Sequence, residues 1–348
     1  MAVLTWTSKG EDPMTFRRFS PACLSLLAAA AMGQTTSPGV RPAAKAWTQP
    51  RTPDGQPDIQ GNWNNSTLTQ LERPRQFANK QFLSEQETVA LEQAIAKQGN
   101  WDRPGAAPQP GVGLGYNYVF WDAGTKLARL DGRGLTSLII DPADGRIPAL
   151  TPEAQKREAA RREAQSKRGR YESWTDLNLA ERCITRASPK LPGGYNNNVQ
   201  IVQTRDSIMI MGEMLHEVRV IYLDGRPHLP PNVRLWQGDS IGHWEGDTLV
   251  VDTTNYKDEV RFASFNCCGP AGEGLHIVER FRRVDENTID FRYTVDDPST
   301  YTRPWTVAVP MTRMDEPIYE YACHEGNYAM EDILKGARAE EAAAVKKK

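Results

Sequence analysis

Hydrophobic and polar residues alternate with a period of two along much of the second half of this chain. The alternation begins near Tyr195, and the apolar members of its first three runs are Val199 and Ile201, then Ile208 and Ile210, then Val218, Val220 and Tyr222. A period of two is typical of antiparallel strands that bury one face. We therefore predict a series of such strands and expect each apolar set to face the interior.

Turn sequences separate the predicted strands. Asp224-Gly225, Glu245-Gly246 and Asp285-Glu286-Asn287 are residue types that favour tight turns, and two further apolar alternations occupy residues 289–295 and 305–311. Several strands joined by tight turns indicate a sheet that closes on itself. The predicted fold is mainly β with peripheral helices (α+β), a lipocalin-like antiparallel barrel or a strongly curved sheet.

Three helices are predicted around this β region. Ser84 to Glu87 form a capping box that opens a helix to about Gln98, and Thr151-Pro152-Glu153 begins a charged helix that ends near Lys167. Residues 328–345 are also expected to be helical. The chain has no Gly-x-Gly-x-x-Gly motif, no P-loop and no alternating βαβ pattern, which argues against a nucleotide-binding α/β fold.

The N-terminus resembles an export signal. Arg17-Arg18 precede an apolar stretch at 22–32 that is too short to span a bilayer, and Ala31-Met32-Gly33 is a small-x-small cleavage site. Residues 1–33 are therefore expected to be a leader and signal peptide, with Met14 as the true start. The mature chain is expected to begin near residue 34, in the periplasm or outside the cell.

The remaining chain is expected to have three parts. Residues 34–62 are rich in Pro, Gly, Thr and Gln and are predicted to be an extended arm. Residues 63–194 are predicted to be a mixed helix and loop region that packs on the core. Residues 195–338 are predicted to be the antiparallel β domain with its C-terminal helix.

Composition narrows the class of partner. The chain has 348 residues and a formal net charge of −2, so it presents no basic field for nucleic acid, and no membrane span is expected. Nine tryptophans and eleven tyrosines favour a β-rich core or an aromatic-lined pocket. A small-molecule ligand or substrate is the expected partner.

The cysteines predict one disulfide. Cys23 would leave with the signal peptide, so that Cys183, Cys267, Cys268 and Cys323 remain in an oxidising compartment. Adjacent cysteines bridge each other only with strain, so we expect Cys183 to pair with Cys323. The chain has no Cys-x-x-Cys motif, and a zinc site is not expected.

The histidines indicate where acid–base chemistry is to be sought. All five lie between His216 and His324, and histidine is the side chain whose ordinary pKa is near neutrality. His216 shares its strand parity with Val218 and is expected to point into the barrel. His324 adjoins Glu325, so the predicted catalytic residues are His216, His324, Glu325 and Glu213.

A second set of residues is predicted to bind ligand. Polar residues precede the first strand at Tyr195 and Asn197, and charged residues stand among apolar strand positions at Arg219 and Glu279. Buried charges need partners, so Glu213, Arg219 and Glu279 are expected to form an internal ion-pair network or to line a pocket. His228 lies in a proline-rich loop and is predicted at the rim. No cofactor and no metal are expected; a metal held by His216, His324 and a carboxylate is the open alternative.

Five segments resemble a family of secreted proteins common in soil-bacterial genomes. They are residues 53–63, 181–184, 224–228, 242–251 and 319–328. The resemblance extends over roughly residues 50–338 and implies secretion and a single-domain unit. It assigns no catalytic residue, and the stretch 266–270 departs from the usual pattern.

Two functions from different classes are consistent with these features. The first is an exported enzyme, a hydrolase, lyase or isomerase, that acts on an aromatic or terpenoid-like small molecule by His/carboxylate acid–base chemistry. The second is a non-catalytic, lipocalin-like ligand-binding protein. Imidazole and carboxylate groups at inward positions favour the enzyme, because a carrier of apolar ligands gains nothing from burying them. A surface-associated structural protein is a third, weaker alternative.

Overall fold

A computed structural model describes residues 47–78, 80–98, 122, 124–167, 171–186, 188–260 and 274–346. These residues belong to one unit that begins at Trp47. The predicted signal peptide, residues 34–46 of the predicted arm, and Cys267 and Cys268 lie outside the described residues.

The described residues form β-strands for much of their length, with three α-helices between and after them. The strands are β1 (Gly61–Asn64), β2 (Phe82–Leu83), β3 (Arg129–Leu130), β4 (Arg133–Leu135), β5 (Ile139–Asp141), β6 (Asn198–Gln203), β7 (Ser207–Gly212), β8 (Glu217–Tyr222), β9 (Asp239–Glu245), β10 (Thr248–Thr254), β11 (His276–Arg283), β12 (Thr288–Asp296), β13 (Trp305–Ala308) and β14 (Met311–Met314). The helices are α1 (Glu85–Gln98), α2 (Pro152–Lys167) and α3 (Ala329–Lys346).

Nine strands close into a barrel, which confirms the predicted fold class. The order around the ring is β11-β10-β9-β8-β7-β6-β1-β14-β12, and β12 returns to pair with β11. Every ring pairing is antiparallel except β8–β9, which is parallel. A ring with an odd number of strands cannot alternate direction throughout, so one parallel pair allows nine strands to close.

The barrel includes a strand from the N-terminal side of the predicted β domain. β1 lies between β6 and β14, where Trp63 is opposite Val199 on one side and Arg313 on the other. Trp63 is fully buried, and its indole N–H donates to the carbonyl oxygen of Ile59 at 3.0 Å. The segment that separates the predicted arm from the following region therefore completes the barrel wall.

The predicted strand at 305–311 is two strands in the structure. β13 pairs with the C-terminal half of β12, while β14 pairs with the N-terminal end of β12 and with β1. Pro310 stands between them, and proline has no backbone N–H to donate to a sheet. The apolar alternation continues through Pro310, but the hydrogen-bond ladder does not.

Large apolar side chains fill the barrel interior. Phe281 of β11 stacks on Phe291 of β12 with ring centroids 4.4 Å apart, and Tyr293 lies beside Phe291 at 5.7 Å. All three are essentially inaccessible to solvent. Trp63 and Trp305 are buried in the same core, whereas Trp174 and Tyr319 are exposed.

The helices lie where the sequence predicts them. At α1 the Ser84 hydroxyl accepts from the Glu87 N–H at 3.3 Å and the Glu87 carboxylate accepts from the Ser84 N–H at 2.9 Å, the reciprocal pair of a capping box. At α2 the hydroxyl of Thr151 accepts from the N–H of Ala154 at 3.1 Å. In the part of the chain that the structure describes, no helix combines the length and the apolar character needed to cross a bilayer.

The predicted disulfide is confirmed. Cys183 and Cys323 are bonded, with their Cα atoms 5.8 Å apart and a sequence separation of 140. The bond joins the loop before β6 to the irregular segment before α3. Both segments thereby lie at the same end of the barrel, next to the start of β8.

Candidate functional site

Glu213 and Glu217 lie at one end of the barrel because β6, β7 and β8 are consecutive antiparallel strands. Gly212, the last residue of β7, is opposite Val199 of β6 and opposite Glu217 of β8. Between β7 and β8 the chain reverses in one short turn, and Leu215 and His216 adopt positive φ values of 62° and 41° there. This turn brings the two carboxylates to the same end.

We call this region the polar end and define it by Arg186, Lys190, Asn198, Glu213, Glu217 and Tyr321. A chain of amides holds the first carboxylate. The Asn198 side chain donates to Glu213 at 2.8 Å, and the Asn64 side chain donates to Asn198 at 2.7 Å. Glu213 is 5% exposed. Its orientation is therefore fixed by two neighbouring strands, β6 and β1.

The second carboxylate, Glu217, accepts hydrogen bonds from two loops. The Arg186 backbone N–H lies 3.1 Å from each of its oxygens, and the Gln237 side-chain amide lies 2.5 Å from one of them. The same Gln237 amide donates to the Thr185 hydroxyl at 2.7 Å. Burial raises the pKa of Glu217, and the hydrogen bonds and the nearby cations Lys190 and Arg186 oppose that rise only in part.

Lys190 places an amine in the same region. Its Nζ donates to the backbone carbonyl of Asn196. Burial, reinforced by the positive charge of Arg186, lowers the pKa of Lys190 to about 8, although Glu213 and Glu217 act in the opposite direction. A carboxyl with a raised pKa and an amine with a lowered pKa therefore occupy one cluster.

Tyr195 and His216 border the polar end on the side of Tyr321. Burial raises the pKa of Tyr321, Tyr195 acts in the same direction, and Arg186 opposes it. The Nδ1 of His216 lies 3.2 Å from the Tyr321 carbonyl oxygen. This contact and the disulfide hold the segment that carries His324 against the turn between β7 and β8.

The prediction that His216 points into the barrel is wrong. His216 precedes β8, its side chain is exposed, and the parity partners Val218 and Val220 are 47% and 42% exposed on the outer face. The inward residues of β8 are Glu217, Arg219 and Ile221. The inner face carries two charges and the outer face two valines, so hydrophobicity alone indicates the opposite orientation.

The other predicted catalytic residues are divided between the rim and the polar end. His324 and Glu325 are both exposed, and neither lies inside the barrel. His216 and His324 are both exposed, so the two imidazoles do not point into the barrel interior where Glu279 is buried. Of the four, Glu213 is the residue that the structure places within the buried cluster.

Arg219 and Glu279 form an internal ion pair, whereas Glu213, the third residue of the predicted network, accepts from Asn198 instead. Two hydrogen bonds join Arg219 to Glu279, one of 2.8 Å between Nη2 and Oε1, and β9 and β10 separate their strands in the ring. Tyr256 is buried nearby, and burial raises its pKa. Its hydroxyl donates to the Ser188 carbonyl at 2.8 Å, which ties the Lys190 loop to the barrel.

The remaining predicted ligand-binding residues have different surroundings. The Asn197 side chain accepts from the Gly193 N–H at 2.8 Å and donates to the Asp122 and Gly193 carbonyls, so it holds the loop together. Tyr195 is half-buried beside the polar end. His228 lies outside the barrel against Asp239. No group of three or more His, Cys, Asp and Glu residues suited to hold a metal occurs within the described ranges.

Sequence reasoning identified only Glu213 among the six residues of the polar end and missed Arg186, Lys190, Asn198, Glu217 and Tyr321. Glu217 adjoins His216 in the sequence, but its strand parity is opposite to that of Val218, so the apolar alternation predicts that it faces outward. Lys190 lies between Pro189 and Leu191 in a loop without periodicity. Its placement depends on contacts between residues far apart in the chain.

Comparison with known proteins gives a likeness to a solved structure and nothing more specific. No family model matches the chain, and no curated protein matches it. A crystal structure of a mutant of the fluorescent protein UnaG is similar at 14% identity, with 39% of this chain and 86% of that chain covered and a TM-score of 0.22. A TM-score this low carries no argument, and the fold assignment rests on the strand pairing described above.

Proposed function

We propose that the protein is an exported enzyme that moves protons on a small organic substrate at the polar end, as an isomerase or lyase does. The observation that carries this proposal is that Lys190 and Glu217 occupy one cluster with pKa values displaced toward neutrality from opposite sides. Acid–base catalysis is most effective when the pKa of the catalytic group is near the working pH.

Lys190 is the proposed base. With a pKa of about 8, roughly one-tenth of its amine is neutral at pH 7, whereas an ordinary lysine is almost entirely charged. Glu217 is the proposed acid, because burial increases the fraction that keeps its proton. Glu213, held by Asn198, supplies a fixed negative charge beside them.

Aromatic groups at the polar end support an aromatic or terpenoid-like substrate. Tyr195 and Tyr321 interact with each other at the polar end and offer aromatic faces there, and the backbone of Tyr321 contacts the exposed His216. The disulfide between Cys183 and Cys323 fits export into an oxidising compartment.

The carrier alternative has less support. A lipocalin-like carrier holds its ligand inside the barrel, but here Phe281, Phe291 and Tyr293 fill interior positions and an ion pair crosses the interior. The polar groups instead gather at one end. The proposed substrate therefore binds at the polar end rather than within the barrel.

Solvent-deuterium exchange tests the proposal without a known substrate. The mature protein is incubated in D2O with a library of aromatic and terpenoid-like ketones, esters and alkenes, and deuterium uptake is followed by mass spectrometry. We expect at least one compound to exchange a carbon-bound hydrogen, at a rate that Lys190→Met or Glu217→Gln lowers by about 100-fold to 10,000-fold.

His243→Gln is the matched control, because His243 is an exposed histidine of β9 that contacts Glu245 at 3.2 Å, outside the polar end. It is expected to leave the exchange rate unchanged. The proposal is overturned if the wild type and the Lys190→Met variant exchange the whole library at equal rates.

A further inference from the structure

The Lys190 amine is held by a neutral partner rather than by a carboxylate. Its Nζ donates to the backbone carbonyl of Asn196. Glu213 and Glu217 act on it through their charge, without an ion pair to it among the described residues. An amine fixed in an ion pair keeps its proton, whereas an amine on a neutral acceptor can lose it and expose its lone pair.

Both carboxylates of the polar end are occupied by neutral donors. Glu213 accepts from the Asn198 amide, and Glu217 accepts from the Gln237 amide and from the Arg186 backbone N–H. These bonds fix the two acidic groups without drawing the lysine into an ion pair. The cluster therefore combines held carboxyl groups with an unpaired amine.

The surroundings of Lys190 favour a nucleophilic amine. Burial is the larger cause of the lowered pKa of Lys190, and the positive charge of Arg186 acts in the same direction. Desolvation and a neighbouring cation are two means by which proteins activate a lysine as a nucleophile toward carbonyl compounds. Both are present here.

The loop that carries Lys190 is held on both sides of this residue. The Lys190 carbonyl oxygen accepts from the Asn65 side-chain amide at 3.4 Å, and the Ser188 carbonyl oxygen accepts from the buried Tyr256 hydroxyl at 2.8 Å. The backbone from which the amine extends is therefore fixed. A fixed nucleophile loses less freedom when it reacts, which lowers the entropic part of the barrier.

The polar end is open to solvent on one side. Glu213 is 5% exposed, whereas Lys190, Glu217, Tyr195 and Tyr321 all remain partly exposed. A small molecule can therefore reach the residues that carry the amine and the second carboxyl group from outside the barrel. It would meet the two tyrosines on the same side.

We propose that the Lys190 amine is a nucleophile that forms a Schiff base with an aldehyde or ketone substrate, with Glu217 as the acid that expels water. The inference rests on the proposed function for its place in a catalytic cycle, and it names carbonyl compounds as the substrate class of the same cluster. With such a substrate, Lys190 acts first as a nucleophile and not as a base.

The step balances with the groups that are present. The neutral amine adds to the carbonyl carbon, and a proton passes from nitrogen to oxygen to give a carbinolamine. The Glu217 carboxyl then donates its proton to the hydroxyl, the carbon–oxygen bond breaks and water leaves. The products are a protonated imine on Lys190 and the Glu217 carboxylate, which can now accept a proton from the carbon next to the imine. Hydrolysis in the reverse order restores the amine.

Reductive trapping tests the inference with benzaldehyde as the probe. The mature protein is treated near pH 7 with benzaldehyde and sodium cyanoborohydride, which reduces a protonated imine to a stable benzylamine, and peptide mapping measures the label on each lysine. We expect Lys190 to be labelled at least about tenfold faster than Lys156, an exposed lysine of α2, because more of the Lys190 amine is neutral. Equal labelling rates overturn the inference.

The Glu217→Gln variant separates the nucleophile from the acid. Acetylation by acetic anhydride needs only the neutral amine, whereas imine formation also needs the acid. We expect the variant to lower the trapping rate of Lys190 by about tenfold or more. Its acetylation rate is expected to stay at the wild-type value or to rise, because Glu217 raises the pKa of Lys190. An equal loss of both rates, or undiminished trapping, overturns the acid role of Glu217.

Failure of this inference and failure of the proposed function give different results. Deuterium exchange that depends on Lys190, without preferential trapping of Lys190, overturns the Schiff base and leaves Lys190 as a base. Preferential trapping in a protein that exchanges no carbon-bound hydrogen supports the Schiff base and overturns the proposed proton transfer.

Discussion

The guanidinium of Arg219 and the carboxylate of Glu279 meet inside the barrel, where they are 4% and 0% exposed. They join β8 to β11 across two intervening strands. In a fully buried ion pair, each charge has been removed from water. The loss of either partner therefore leaves the other charge buried without compensation.

Removal of one partner is therefore expected to be far more damaging than removal of both. Glu279→Leu leaves a buried guanidinium without its counter-charge and is expected to lower the free energy of unfolding by about 3–5 kcal/mol. The double variant Arg219→Met with Glu279→Leu is expected to recover most of that loss. Urea denaturation of the wild type, the single variant and the double variant measures the three free energies of unfolding. A double variant that is as unstable as the single variant contradicts the prediction.

The disulfide is expected to stabilise the fold by restricting the unfolded chain. Cys183→Ser with Cys323→Ser opens a loop of 140 positions and is expected to lower the free energy of unfolding by about 2–5 kcal/mol. Wild-type protein in a strong thiol reductant serves as the matched control and is expected to fall to the same value. An unchanged denaturation midpoint in both would mean that the bond contributes nothing to stability.

The pair of His276 and Asp252 is expected to give a pH-dependent contribution to stability. The raised pKa of His276 stabilises the fold below the ordinary histidine value of about 6.5, and this contribution is lost as the pH rises through the folded pKa. The lowered pKa of Asp252 stabilises above about 3.9 and is lost as the pH falls through its folded value.

The stability difference between wild type and His276→Gln is therefore expected to be largest between about pH 4 and 6.5. Both side chains are more than one-third exposed, so its size is about 0–1 kcal/mol. Denaturation across pH 3–9 measures it, with His243→Gln as the exposed control. A stability difference between wild type and His276→Gln that grows steadily toward pH 9 would contradict the prediction, because the contribution of protonated His276 is lost as the pH rises.

The strands and turns were predictable because they depend on local pattern. The turn at Gly246 and Asp247 joins Glu245 to Thr248 as the sequence indicates, and Ile201 and Ile210 are buried as alternation predicts. The face of β8 was not predictable in this way. Its inward positions include Glu217 and Arg219, whose partners are Gln237, in the connection between β8 and β9, and Glu279 of β11. These polar residues are inside only because distant segments satisfy them.

The polar end was predictable only in part for the same reason. Glu213 and Tyr195 were identified from local polarity, and the paired cysteines located the segment that carries His324. The environment of Lys190 is created by Arg186, Glu213 and Glu217 together, and by the burial that the Tyr256–Ser188 contact helps to enforce. A charge environment that is assembled from several loops cannot be predicted from a local sequence pattern.

The titration of Lys190 in the wild-type protein tests the central claim most directly. Lysine labelled with 13C at Cε gives one signal per side chain, and Lys190→Arg assigns the relevant one. The account predicts a midpoint of about 8, lowered further by Glu213→Gln, since that carboxylate raises the pKa of Lys190. A Lys190 signal that titrates with the surface lysines near ~10.4 would contradict the proposed acid–base site.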